Sequence, residues 1–346
     1  NNAEDINGNY QLDEGDINGI DEDGNGFVDD VIGFDFTDAP DYPASGDYLE
    51  EDPFPEDDYG LNCHGTPVAG LIAAETDNVS GIAGVSPYAK IMALRAGSAS
   101  GYLEVDDVVK AIFYATDNGA RIINMSFGDT YPSLFLHQAV KYAFNNGVVL
   151  VAAAGNNGTS EPNYPAAWPE VLGIASISSA NTRSGFSNYG EWISFSQPGE
   201  SMISVAVNGN YTTVNGTSFA CPLAAGIISV PLIEELTNNT FNINSFYSQL
   251  EASAIQFGEE SFNRELGYGA LKFPSVLNEE SLEINIVSPS INQTVSGSSI
   301  PLIASIWGEN IKQYHFKILL DDQTLWQSSN YSEFVYHDTL EQINIQ

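Results

Sequence analysis

Asn215-Gly216-Thr217-Ser218-Phe219-Ala220-Cys221-Pro222-Leu223-Ala224-Ala225-Gly226 is the stretch from which the rest of the chain is best read. A serine stands behind a Gly-Thr turn and opens a run of Ala and other apolar residues, the pattern of a buried helix. Pro222 is expected in the first turn of that helix, where its missing N–H costs little. The helix is expected to run to about Val230, with Pro231 ending or kinking it. A hydroxyl at a helix N-terminus faces unpaired N–H groups and the positive end of the helix dipole. That setting suits a nucleophile whose reaction builds an oxyanion, and it equally suits a plain N-cap.

Two further stretches weigh on that choice. Cys63-His64-Gly65-Thr66-Pro67-Val68-Ala69-Gly70 places one of only four histidines ahead of a small-residue helix start. Val151-Ala152-Ala153-Ala154-Gly155-Asn156-Asn157-Gly158 ends an apolar run in a Gly-Asn turn. Around them the chain keeps an α/β rhythm. Helical spacing marks 64–74, 105–116 and 134–145, and short apolar runs at 89–94, 121–126 and 148–152 read as strands. The last is apolar on both faces, as a buried parallel strand should be. Alternating strands and helices imply a doubly wound parallel sheet with helices on both faces. Sites in such sheets form outside the carboxyl ends of strands, and Ser126 and Asn156 both lie just past strand ends.

In order and wording, His64-Gly-Thr, Gly155-Asn156 and Gly-Thr-Ser218 resemble the motifs of the subtilisin-like serine proteases, the subtilases. The resemblance implies a secreted serine endopeptidase that works through an acyl-enzyme. His64 would be the general acid/base, Ser218 the nucleophile, and Asn156 the side-chain donor of the oxyanion hole, with the Ser218 N–H as the second donor. By the same likeness Ser126-Phe127-Gly128 would pair with an extended peptide. Ala153-Ala154-Gly155 and the region of Asn163 would line the pocket before the scissile bond. None of these residues carries a charge, which favours apolar or aromatic side chains there. Protein or peptide substrates and an N-terminal propeptide in the precursor are further implications.

The chain also departs from the family pattern. Subtilases carry an aspartate in Asp-Ser/Thr-Gly on a first strand ahead of the His motif, and nothing in residues 1–63 reads that way. Asp35, in Gly-Phe-Asp-Phe, is the nearest candidate and fits poorly. The strand bearing the aspartate is therefore expected upstream of Asn1, and the chain by itself is expected to be weak or inactive. Leu223 stands where many subtilases have His. A non-catalytic subtilase homologue that binds peptide or calcium in a larger surface protein is the alternative.

Composition bounds partners and place. Asp and Glu number 46 against 10 Lys and Arg, for a net charge of −36. Such a field repels nucleic acid and anionic membranes. It suits a secreted or cell-surface protein, expected as a monomer with no transmembrane span. Much of the acid lies in an insert over about residues 1–60, where Asp16, Asn18, Asp21, Asp23, Asn25 and Asp29 alternate with glycines. Oxygen side chains so spaced can fold about one hard cation, and a structural Ca²⁺ is expected there. The loop from Asp21 has EF-hand-type residues at its start but Ile32 at the twelfth position. Cys63 and Cys221, the only two cysteines, stand beside His64 and Ser218; an assembled triad could bring them within disulfide reach, a Cα separation of about 7 Å or less, and two free thiols are the preferred alternative. The domains are set at 1–278, catalytic, and 281–346, where alternating strands resemble part of an immunoglobulin- or fibronectin-type sandwich.

Overall fold

Residues 148–153 alternate between two apolar environments, because successive strand side chains point to opposite faces. Val149, Val151 and Ala153 pack with Leu172, Ile174, Ala220, Ala224 and Ile228. Val148, Leu150 and Ala152 pack with Val109, Ile112, Ala139 and Val140. Both faces are thus covered by helices, which is why this strand is continuously apolar.

The computed structural model describes residues 4–5, 12–38, 50–57, 63–98, 101–258 and 261–272, together with strand backbone between 283 and 344. The chain divides into two compact units, Asn1–Lys272 and Phe273–Gln346. The first contains β1 (Gly33–Asp35), α1 (Gly65–Ala73), β2 (Ala93–Arg95), α2 (Val105–Asp117), β3 (Ile122–Met125), α3 (Leu134–Asn145) and β4 (Val149–Ala153). It continues with β5 (Leu172–Ile177), β6 (Ile193–Pro198), β7 (Met202–Ala206), β8 (Asn210–Val214), α4 (Thr217–Thr237) and α5 (Ile243–Ser253). Strands β3-β4-β5-β6 form a parallel sheet in that order. β1 and β2 form a separate parallel pair, and β7 and β8 an antiparallel hairpin. Gly33 fixes the β1–β2 approach: at φ +144° its Cα faces Ala93, and a Cβ there would lie 1.7 Å from the Ala93 carbonyl oxygen.

Among the described residues β2 has only β1 as a neighbour, and β3 has only β4. One flank of each strand therefore lacks a ladder partner. These flanks bound a gap that matters for the site.

Two expectations about α4 are corrected. The helix begins at Thr217, so Pro222 lies beyond its first turn, and it runs through Pro231 to Thr237. A helix-interior proline costs about 3 kcal/mol or more. Ile228 and Leu232 flank Pro231 and are both buried in the core, and burying one such side chain is worth about 1.5–3 kcal/mol. Burial on both sides of the proline keeps the helix going. This helix is also long and apolar enough, by length and composition alone, to cross a membrane. Most of its apolar residues face the core of the first unit.

The second unit contains β9 (Glu283–Ser288), β10 (Ser299–Trp307), β11 (Lys317–Leu320), β12 (Gln323–Gln327) and β13 (Val335–Asn344). They form an antiparallel sheet in the order β13-β10-β9 and an antiparallel pair β11-β12. Residues 1–3, 6–11, 39–49 and 58–62 of the acidic insert lie outside the described residues.

Candidate active site

Gly216 caps α4 with a backbone open to glycine, at φ +148°, and delivers Thr217 and Ser218 as the first residues of the helix. Ser218 is therefore inside the helix and is not its N-cap. Its N–H is one of the first four, which have no acceptor within a helix. Thr217 donates both its N–H, at 2.8 Å, and its hydroxyl, at 3.0 Å, to Asn156 Oδ1. The Gly155 N–H in turn donates to Thr217 Oγ1 at 3.0 Å. These donors pin the carbonyl end of the Asn156 side chain and turn its amide end away from Thr217. Asn156 is exposed, so that amide faces open space with two donors to offer.

Pro222 has no N–H to give to the Ser218 carbonyl, its partner one helical turn back. Ser126 supplies the substitute: its hydroxyl donates to Ser218 O at 2.8 Å. Ser126 Oγ also accepts from Asn124 Nδ2 at 3.0 Å. Ser126, expected at the substrate edge, thus ties the end of β3 to the backbone of Ser218.

His64 immediately precedes α1. Asp57 holds this turn by accepting from the Thr66 N–H at 2.7 Å and the His64 N–H at 3.4 Å. The His64 ring lies 5.5 Å from that of Phe219, centroid to centroid. The ring is open to solvent through a cleft but has protein on most sides. That low-dielectric surrounding lowers its pKa below the ordinary value, and the Asp57 charge opposes the shift. Among the described residues no hydrogen bond joins the His64 ring to the Ser218 hydroxyl.

One cleft of about 1920 Å³ brings these groups together. It is lined by His64, Asn156 and Ser218, and by Ser126, Phe127, Gly128, Ala153, Gly155 and Asn163 from the expected substrate set. Ala154 is not brought there; it is fully buried with Ala175 and Ile193. Asn163 Nδ2 donates to the Ala153 carbonyl at 3.2 Å and so closes the pocket floor. From the site the cleft runs on between the open flanks of β2 and β3. Met92, Leu94, Ile123 and Met125 are in its lining, with Val108 and Ile112 of α2 and Leu232 of α4.

Asp35 stands at the end of β1 and is committed elsewhere. It is 1% exposed, pairs with Arg95 Nη1 at 2.5 Å and accepts from the Thr37 N–H and hydroxyl. Leu223 is buried against Val68, Leu71 and Phe219, so an apolar contact with α1 fills the place of a polar side chain. Both cysteines are free thiols; burial pushes the Cys221 thiol well above its usual range.

The expected calcium loop is largely turned on itself. Asp29 accepts from the N–H groups of Asn18 and Gly19, and Asp16 from that of Asp13. Asn25 Nδ2 donates to Asp30 and Asn118, while Asp30 also receives the Tyr114 hydroxyl. Asp21 accepts from Gly24, Asn25 and Gly26, yet its carboxylate still converges with those of Asp23 and Glu4. Sequence reading missed Glu4, Asp57 and Thr217. Thr217 sat in plain view inside the serine motif, whereas Asp57 and Glu4 act across gaps that carry no local pattern.

Comparison with known proteins agrees with this geometry. The profile of the subtilase family matches residues 1–269. A thermophilic serine proteinase of Bacillus sp. (strain AK1) is 41% identical over 184 residues, 53% of this chain and 45% of that protein. Thermitase of Thermoactinomyces vulgaris is 41% identical over 181 residues, 52% of this chain and 64% of that protein. The chain therefore spans about half to two thirds of these relatives. Among solved structures, the prenylagaramide maturation protease PagA superposes with a TM-score of 0.55 at 28% identity, over 61% of this chain and 80% of that one.

Proposed function

The chain belongs to the subtilase family, and on that premise we propose that it is the body of a secreted serine endopeptidase. The observation that carries this reading is that His64, Ser218 and Asn156, far apart in sequence, line one cleft, with Asn156 anchored to the residue next to Ser218. Ser218 Oγ attacks the scissile carbonyl carbon and gives its proton to the His64 imidazole. The carbonyl oxygen, now an oxyanion, takes hydrogen bonds from Asn156 Nδ2 and the Ser218 N–H. His64 returns the proton to the departing amine as the C–N bond breaks, leaving an acyl-enzyme. Water, deprotonated by His64, then attacks that ester and frees Ser218.

This cycle needs a carboxylate that orients His64 and stabilises the imidazolium. Asp35 and Asp57 are both engaged elsewhere. Among the described residues β2 and β3 each keep one flank without a ladder partner, and one further parallel strand seated between them would pair both flanks. With Met92, Leu94, Ile123 and Met125 in the cleft lining, such a strand would be apolar on both faces and would bring an aspartate at its carboxyl end toward His64. In a subtilisin, loss of the corresponding aspartate lowers kcat by about 3 × 10⁴, so the chain without such a strand is a very slow enzyme. The uncharged lining residues Ala153, Gly155 and Asn163 support apolar or aromatic side chains before the cleaved bond.

The test is labelling by a fluorophosphonate serine probe of the chain, of the chain extended at its N-terminus by an apolar strand ending in Asp-Thr-Gly, and of the extended chain carrying Ser218→Ala. Strong labelling of the extended chain, lost in Ser218→Ala, supports the peptidase. A folded extended chain that resists the probe overturns it. The open gap favours a second reading, a non-catalytic homologue that binds peptide, and a failed labelling experiment would leave that one standing.

A further inference from the structure

Asn156 is held from two directions. Thr217 fixes its side-chain carbonyl, and a second asparagine fixes its backbone. Asn188 lies in the connection from β5 to β6 and is 1% exposed. Its N–H donates to the Gly155 carbonyl at 3.0 Å. Its Oδ1 accepts from the Asn157 N–H at 3.0 Å and from the Thr159 N–H at 3.3 Å. The peptide groups on both sides of Asn156 are therefore bonded to one residue. Asn188 Nδ2, by contrast, is buried and has no partner among the described residues. An unpaired buried amide is costly, so this side chain serves the turn through its acceptor end alone. The fit is close: at Gly155, with φ +98°, a Cβ would lie 2.5 Å from Asn188 Nδ2.

Asn188 is itself anchored. The Ser187 hydroxyl donates to the Asn188 carbonyl at 3.1 Å and accepts from the Ser176 N–H of β5 at 3.0 Å. Arg183 Nη1 donates to the Ser187 carbonyl at 2.6 Å, and its guanidinium lies 4.6 Å from the Tyr189 ring centroid. Two more bonds join the segments, from the Gly158 N–H to the Phe186 carbonyl and from the Tyr189 N–H to the Thr159 carbonyl. Asn156, Asn157 and Thr159 are all exposed. Burial thus does little to shape this turn, and the bonds to residues 186–189 set it.

We propose that Asn188 is a positioning residue for the oxyanion donor. It holds the backbone of Asn156 so that Nδ2 already points to where charge develops on the substrate carbonyl. A donor placed in advance needs no reorganisation during the reaction, and a misplacement of about 1 Å can cost about 10²-fold in rate. The catalytic consequence rests on the serine-peptidase reading above, whereas the hold on the turn does not.

Amide hydrogen exchange on the whole chain reads that hold without any peptidase activity. Asn188→Ala should speed exchange at Asn157 and Thr159 about tenfold or more, with the β4 amides as in the parent. Asn188→Leu, which keeps the branched shape and removes the acceptor, should do the same and guards against a cavity effect. Unchanged exchange at Asn157 and Thr159, or an equal rise across β4 and β5, overturns the proposal. In the strand-extended chain Asn188→Ala should lower kcat about ten- to hundredfold with KM little changed. That loss should vanish when Asn156→Ala is already present, because Asn188 acts through Asn156. An unchanged kcat, or a loss that persists beside Asn156→Ala, overturns the positioning role. An inactive strand-extended parent would sink the peptidase reading instead, and the exchange result would still decide whether Asn188 holds the turn.

Discussion

The bond from the Ser126 hydroxyl to the Ser218 carbonyl exists because Pro222 cannot make the helical one. Replacing Ser126 by Ala leaves that carbonyl without a donor in a partly buried site, at a cost of about 1–3 kcal/mol. Asn124 Nδ2 loses its acceptor as well. In a Pro222→Ala background the new N–H at 222 can reach the Ser218 carbonyl one turn back, so the carbonyl keeps a partner when Ser126 is removed. The Asn124 loss is the same in both backgrounds and cancels, as do effects of Pro222→Ala on the unfolded chain. Ser126→Ala should therefore cost at least about 1 kcal/mol less beside Pro222→Ala than alone. Urea unfolding of the four proteins measures this coupling, and thermal unfolding should show it as about 2–4 °C in Tm. Costs that add within about 0.5 kcal/mol would refute the substitution of one donor for the other. A result of that kind would return Ser126 to a role in substrate contact alone.

Three other outcomes are expected. Arg95→Met leaves Asp35 buried without its guanidinium and should destabilise the first unit by about 3–5 kcal/mol, read as a drop in urea midpoint; the Asp35→Asn, Arg95→Met pair should recover part of it. Asn156→Ala in the strand-extended chain should lower kcat by about 10²–10³ with KM little changed, a range carried over from a subtilisin. His64 works as a base only when neutral, and burial lowers its pKa below 6.5. Activity of the chain alone should therefore fall away only below that pH. A carboxylate seated in the gap favours the imidazolium, so the extended chain's acid limb in kcat/KM should lie at higher pH. An unmoved limb would mean that the strand does not bring its charge to His64.

Much of this was legible in the residues. The apolar run at 148–152 declared a strand covered on both faces, and the two helices before it fell where the spacing put them. The Gly-Asn and Gly-Thr-Ser motifs met in one cleft because strand ends and helix starts share an edge of a parallel sheet. Harder to read was anything that depends on which elements become neighbours. Periodicity marks β3 as a strand, but the apolar run at 89–94 meets β2 only at Ala93 and Leu94, and periodicity does not say that β2 and β3 do not pair with each other. Pro222 looked like a first-turn residue because sequence does not show that the helix already starts at Thr217, behind a glycine with positive φ. Pro231 looked like a stop because the burial that holds α4 together comes from tertiary packing. Glu4 carried no signal at all: a single acid in an acidic stretch gains its meaning from the loop that folds over it.

The two open flanks on either side of the cleft have a consequence for handling the protein. Each is a row of backbone donors and acceptors with an apolar lining behind it, the arrangement that captures stray strands from other molecules. At high concentration the chain should be prone to sticking edge to edge, and a short soluble peptide of strand-forming residues should suppress this.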